Sequence, residues 1–193
     1  MQANYSFSEK VILAISLIYT KLFYKNCRLI RIPARIRGKK GISFGNGFTV
    51  GYSSRISVMG DLTDKKLIFG DNCVIGDYCH IEANNHVEIG NNVLMASRVF
   101  ISDTSHGSYA GGEHSSPLIA PNERELCFKN IKIGDNVWLG ENVCILPGVT
   151  LGNGCIVGAG SIVTKSFGDN CIIAGNPAKV IKKYNIENNV WQK

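Results

Sequence analysis

The sequence predicts an all-β solenoid, a parallel β-helix of six-residue units, preceded by one α-helix and interrupted by one long loop. Three observations predict it. From Ile133 an aliphatic residue returns every six positions, through Leu139, Ile145, Leu151 and Val157 to Val163. Four places after most of these stands another small or branched residue: Val137, Val143, Val149, Cys155, Ser161. Glycine is in excess, 21 of 193 residues beside only five prolines, and ten of the 21 (positions 45, 51, 70, 76, 90, 134, 140, 152, 158 and 168) directly follow a leading apolar residue. No helix has a period of six, and a two-residue alternation does not fix glycine at one phase. A six-residue unit fits a short strand plus a corner. The leading residue and the fourth after it point inward, and the glycine eases the turn. Three such units close a triangular coil, and stacked coils share one core.

Taken in order, the chain opens with Ser6-Phe-Ser-Glu9, the spacing of a capping box, so a helix is expected from about 7 to 25. Lys10 and Lys21 bracket only ten residues between them. A spanning helix needs about 20 apolar residues, which excludes a transmembrane segment here. The start Gln2-Ala3-Asn4 lacks the charge of a signal peptide. Residues 1–41 carry nine basic side chains against Glu9 alone, so +8 of the chain's net +6 lies there and the remainder is −2. An apolar helix beside the basic run RLIRIPARIRGKK (28–40) leaves two placements open. It could lie on an anionic membrane face, or pack on the protein's own core or a sister subunit.

The solenoid is expected over 42–183, with 1–41 as an N-terminal helical and basic segment and 184–193 as a tail. Its units recur upstream as Phe44-Gly, Val50-Gly, Phe69-Gly, Ile75-Gly, Ile81-Glu, Ile89-Gly, Met95-Ala and Ile101-Ser, and downstream as Phe167-Gly and Ile173-Ala. Two slips stand out: Ile81 to Ile89 is eight residues, and Ile101 to Ile133 is 32. Residues 103–130 therefore leave the coil as a long excursion, and long loops in compact domains are usually functional. Of the seven cysteines, Cys73, Cys79, Cys155 and Cys171 occupy the inward fourth-later phase. Without CxxC spacing, they read as small core residues in a reducing compartment rather than as zinc ligands or disulfides.

The block IGDNVWLGENVCILPGVTLGNGCIVGAGSIVTKSFGDNCIIAGNPAKVIKK (133–183), above all GAGSIVTK (158–165) and GNPAKVI (175–181), resembles the hexapeptide-repeat O-acetyltransferases of the maltose/galactoside acetyltransferase-like group. RIPARIRGKKGISFGNGFTVG (31–51) and SSPLIAPNERE (115–125) resemble the subgroup that acetylates bacterial O-antigen or capsular polysaccharide. The resemblance covers about residues 28–183. It implies a left-handed coil, a homotrimer with sites between subunits, acetyl-CoA as donor, a glycan acceptor and a cytoplasmic location, with residues 7–40 free to touch the inner membrane. No metal and no nucleic acid are implied.

The same resemblance assigns residues. His106, where the excursion leaves the wall, matches the family's general base, and Asp103 is placed to hold its ring. Glu141 falls where the family uses a backbone amide for the oxyanion, although the family has a smaller residue there. Ala159 through its backbone, then Thr164, Lys165, Lys179 and Lys182, match coenzyme A positions, lysine standing where arginine is commoner at the last two. Trp138, Asn84 and Asp77 fall on the acceptor side. The free-sugar enzymes' N-terminal acceptor carboxylate has no match, and Gly76 stands near their acceptor-side asparagine. Both departures argue for a different, larger acceptor. Three other readings are weighed. One is a zinc carbonic anhydrase built on His86 and His106, for which His80 and His114 give no obvious third ligand. Another is an antibiotic or small-sugar acetyltransferase of the same fold. The last is a non-enzymatic scaffold. Nucleic-acid binding is not expected, since the basic run lacks interleaved aromatics.

Overall fold

A computed structural model describes residues 4–112 and 114–193, so residues 1–3 of the expected N-terminal segment and residue 113 of the excursion lie outside the described residues. One helix, α1 (Phe7–Phe23), precedes three walls of short, mostly parallel strands. Wall A stacks Leu29–Ile30, Thr49–Val50, Val74–Ile75, Leu94–Met95, Trp138–Leu139, Ile156–Val157 and Cys171–Gly175. Wall B stacks Arg35–Arg37, Arg55–Val58, His80–Ala83, Phe100–Ser102, Cys144–Ile145 and Ile162–Val163. Wall C stacks Ile42–Ser43, Leu67–Phe69, Val87–Ile89, Ile131–Ile133 and Thr150–Leu151.

The register follows the six-residue phase. On wall A, Ile75, Met95, Leu139, Val157 and Ile173 face one another in successive coils. All five are buried, as are the fourth-later Cys73, Cys79, Cys155 and Cys171. Burial pushes the Cys73 and Cys79 thiols up to about 11, so they act as small apolar core residues and not as nucleophiles.

The corner glycines serve a different purpose from the one expected. Gly45, Gly70, Gly90 and Gly134 do not take positive φ; that conformation falls two residues later, at Gly47, Asn72, Asn92 and Asn136. What the glycines permit is close stacking. A Cβ on Gly45 would stand 2.1 Å from the Gly70 carbonyl oxygen, and one on Gly90 would stand 2.8 Å from the Gly134 carbonyl carbon. Beside them runs a ladder in which the amides of Asn46, Asp71, Asn91, Asp135 and Asn153 donate to the side-chain oxygens of Asp71, Asn91, Asp135, Asn153 and Asp169 of the next coil, at 2.7–2.8 Å. Each bond satisfies a corner N–H that no strand partner reaches.

The wall strands begin at Leu29: the basic segment supplies Leu29–Ile30 to wall A and Arg35–Arg37 to wall B. At the other end Ala178–Asn185 turns back antiparallel on Cys171–Gly175 and pairs with Val190–Gln192, which draws the tail into wall A. The helix is capped as expected: Ser6 Oγ accepts from the Glu9 amide, and the Glu9 carboxylate accepts from the Ser6 amide at 2.7 Å.

Candidate active site

Where wall B meets wall C, the chain departs from the six-residue unit. The excursion leaves there as a two-stranded antiparallel ribbon, Thr104–His106 against Leu126–Phe128. Side chains alternate across a ribbon, and this one separates two hollows. Thr104, His106, Leu126 and Phe128 line a cleft of about 510 Å³ with Met59, Gly60, Lys66, Glu82, Asn84 and Asn85. Ser105, Gly107, Cys127 and Lys129 line a second, of about 250 Å³, with Leu146, Pro147 and Thr164.

His106 is exposed in the first cleft, and its Nδ1 lies 3.2 Å from the Pro121 carbonyl oxygen. A carbonyl only accepts, so Nδ1 carries the proton of the neutral ring and Nε2 keeps its lone pair. The loop behind it is tied to itself. Arg124 donates to the Ile119 carbonyl at 2.9 Å and to the Tyr109 hydroxyl at 2.7 Å, and that hydroxyl donates to the His106 carbonyl.

Asp103 does not hold the ring. Its side chain is fully buried and accepts from three successive amides, Asn84 at 3.0 Å, Asn85 at 2.8 Å and His86 at 2.8 Å, and from the Thr104 hydroxyl at 2.9 Å. A carboxylate has about four lone-pair positions, and these bonds fill them. Asp103 therefore fixes the 84–86 turn of the coil before it, and the group beside His106 Nδ1 is the Pro121 carbonyl. On that turn Asn84 donates to Glu82 at 3.1 Å and to Thr104 at 2.6 Å, while its Oδ1 is buried without a donor among the described residues. Asn84 and His106 thus share one cleft.

The other expected residues lie elsewhere on the chain. Asp77, Glu141 and Ala159 sit on the corner between walls A and B, and Trp138 is half exposed on wall A. Asp77 accepts the Tyr52 amide at 2.7 Å and lines a separate hollow of about 370 Å³ beneath α1. The Glu141 and Ala159 amides have no hydrogen-bond partner among the described residues. Thr164 and Lys165 follow wall B on the same side as His106, and Lys179 and Lys182 lie on the antiparallel strand of wall A. One chain therefore brings together His106, Asn84 and, across the ribbon, Thr164. It does not bring Asp77, Trp138, Glu141 or Ala159 to them.

The sequence reading missed Met59, Gly60, Lys66 and Glu82. The signal was present, because Val50 to Phe69 is 19 residues, two units plus seven, and those seven form the 59–65 loop. No three His, Cys, Asp or Glu side chains converge as a metal site among the described residues. His86 instead lies 4.0 Å from Glu88, and His114 faces a different hollow.

With this geometry in place, the likenesses to known proteins are specific. Residues 130–165 match the family of bacterial transferase hexapeptide repeats (six repeats). Over 177 residues, 91% of this chain and 89% of the relative, the chain is 44% identical to WbbJ of Escherichia coli (strain K12), by its name a lipopolysaccharide biosynthesis O-acetyl transferase. The chain belongs to the hexapeptide-repeat acetyltransferases. Its three walls are the left-handed parallel β-helix of that family. A maltose O-acetyltransferase from Clostridium difficile 630 superposes with a TM-score of 0.52 at 31% identity, over 76% of this chain and 72% of that one. A galactoside acetyltransferase in complex with coenzyme A gives 0.54 at 32%, over 73% and 68%.

Proposed function

We propose that this acetyltransferase moves the acetyl group of acetyl-CoA to a hydroxyl of a bacterial surface-glycan sugar, directly and within a ternary complex. The observation that carries the reading is His106, which stands on a thin ribbon between two hollows with Nδ1 against the Pro121 carbonyl, an arrangement that in the neutral ring leaves Nε2 to accept a proton. The acceptor occupies the larger cleft, which Asn84 lines together with His106. Coenzyme A occupies the Thr164 side, its carrier arm reaching the backbone of Ala159 and its phosphates meeting Lys165, Lys179 and Lys182 as mobile point charges.

Nε2 takes the proton of the sugar hydroxyl as its oxygen forms the bond to the thioester carbonyl carbon. The oxyanion so formed accepts from a backbone amide, which the reading assigns to Glu141. Collapse breaks the carbon–sulfur bond, and the departing thiolate takes the proton back from His106. Glu141, Ala159, Trp138 and Asp77 lie away from His106 on one chain, and the unpartnered amides of Glu141 and Ala159 make sense if a second copy presents them. The working unit in this reading is a homotrimer with sites between subunits. Its location is the cytoplasm, at the inner face of the membrane reached through residues 7–40.

The test is incubation of wild type and His106→Ala with labelled acetyl-CoA and a panel of glycan acceptors. Loss of the base is expected to lower turnover by about 10²–10⁴-fold. Absence of transfer to every saccharide, or full transfer by the variant, overturns the reading.

A further inference from the structure

Helix α1 is inverted relative to an ordinary surface helix. Its only buried side chains are Ser16 and Thr20, while Phe7 (84% exposed), Ile18 (62%) and Leu22 (66%) face outward with Val11 and Ile15. The steps 7, 11, 15, 18, 22 make one continuous stripe opposite Ser16 and Thr20. Burying the hydroxyls instead of the stripe has a local cause. Leu29–Ile30 is the edge of wall A, so every second N–H of this segment lacks a strand partner. The Thr20 hydroxyl accepts from the Ile30 amide at 2.8 Å and donates back to the Ser16 carbonyl at 2.6 Å. Ser16 Oγ accepts from the Ile32 amide at 3.2 Å and donates to the Ile12 carbonyl at 2.8 Å. The helix therefore closes the end of the prism with its polar face. Bonds between coils run along the prism axis, so the apolar stripe faces away along that axis.

Among the described residues no helix is long and apolar enough to cross a membrane. Two occupants could cover the stripe, an anionic bilayer or the same end of a second copy. Charge separates them. Lys10 and Lys21 flank the stripe, and Lys25, Arg28, Arg35, Arg37, Lys39 and Lys40 stand exposed on the segment that follows. Stacking two such ends would bring together two segments of net +8 each, whereas anionic headgroups neutralise one. We infer that α1 lies in the plane of an anionic membrane surface, with Phe7, Val11, Ile15, Ile18 and Leu22 in the acyl boundary and the prism axis standing roughly normal to the bilayer. This goes beyond the acetyl-transfer reading and does not depend on it.

The experiment is sedimentation of the full chain with vesicles of phosphatidylcholine, with and without phosphatidylglycerol. Binding is expected only with phosphatidylglycerol, weakened by salt and by roughly fivefold for each of Lys10→Gln and Lys21→Gln. Ile15→Ser/Ile18→Asp/Leu22→Ser is expected to weaken it by roughly tenfold or more. Ile18→Trp, conservative at an exposed position, provides a second readout: its emission shifts to the blue on adding anionic vesicles. Equal binding to neutral vesicles, binding unchanged in the triple variant, or an unshifted Ile18→Trp spectrum overturns the inference. So does a wild type that ignores vesicles and whose mass by light scattering halves in the triple variant, since the stripe then joins two copies.

Discussion

The corners of the prism behave differently. Between walls A and B the chain turns in six residues on each coil: Ile30 to Ile36, Val50 to Ile56, Ile75 to Ile81, Met95 to Ile101, Leu139 to Ile145, Val157 to Val163. Between walls B and C the matching steps, from Ile36, Ile56, Ile81, Ile101, Ile145 and Val163 to Phe44, Phe69, Ile89, Ile133, Leu151 and Phe167, are 8, 13, 8, 32, 6 and 4 residues. A corner that stacks on itself is closed by its own repetition, because a longer turn in one coil would collide with its neighbours. The corner released from that constraint holds the 59–65 loop, the 84–86 turn and the His106 ribbon on consecutive coils, and so makes a cleft. Regularity builds the scaffold, and its local failure builds the site.

The largest expected effect breaks the open corner at its one buried anchor. Asp103→Ala strands three amides that have no other partner among the described residues, at about 1–3 kcal/mol for each unsatisfied group. With partial relaxation the loss is expected to be about 3–5 kcal/mol in urea unfolding, and Asp103→Asn, which keeps an acceptor, is expected to recover part of it. Turnover should fall in both, since the turn carrying Asn84 shifts. A variant as stable as wild type would mean that this corner is held by something other than the carboxylate.

The tight corners are tested by glycine. A Cβ at Gly90 meets the Asp135 carboxylate oxygen at 2.3 Å and the Gly134 carbon at 2.8 Å, while one at Gly168 meets no atom within 4 Å among the described residues. Gly90→Ala is expected to cost about 1–3 kcal/mol by overpacking and Gly168→Ala close to nothing, with kcat/KM of the folded fraction unchanged in both. Equal effects at the two positions would return the glycines to the turn-easing role that the repeat alone suggests.

That contrast marks what the sequence could disclose. A period of six, with cysteines in its inward phase, is a pattern within the chain, so the prism and the place where it breaks were readable from residue spacing. His106 needed the family resemblance, since a lone loop histidine has no periodic signature. Asp103 was misjudged because its partners lie one coil away, at Asn84, Asn85 and His86, where spacing says nothing about which N–H lacks a bond. The helix was hard to place for the same reason. Its apolar residues suggest burial, yet the edge amides of Ile30 and Ile32 require acceptors, and Ser16 and Thr20 supply them.

The smallest expected effect lies on wall B just below the cleft, where Arg55, His80 and Glu82 meet on adjacent coils. The Arg55 guanidinium contacts His80 Nε2, Glu82 lies 3.5 Å from the same nitrogen, and the ring stands edge-on to Phe100 at 5.3 Å. Burial, with the nearby guanidinium second, holds the His80 ring below its usual pKa, and Glu82 only partly opposes them. The unfolded chain then binds a proton at His80 before the folded one does. Stability is full above the ordinary histidine pKa and is lost as pH falls through it toward the depressed folded value. Replacing the ring by a group that does not titrate removes this slope, so His80→Gln should show a flatter dependence of unfolding free energy on pH on the acid side of the ordinary histidine pKa of about 6.5. An unchanged slope in His80→Gln would place the acid sensitivity at a group other than His80.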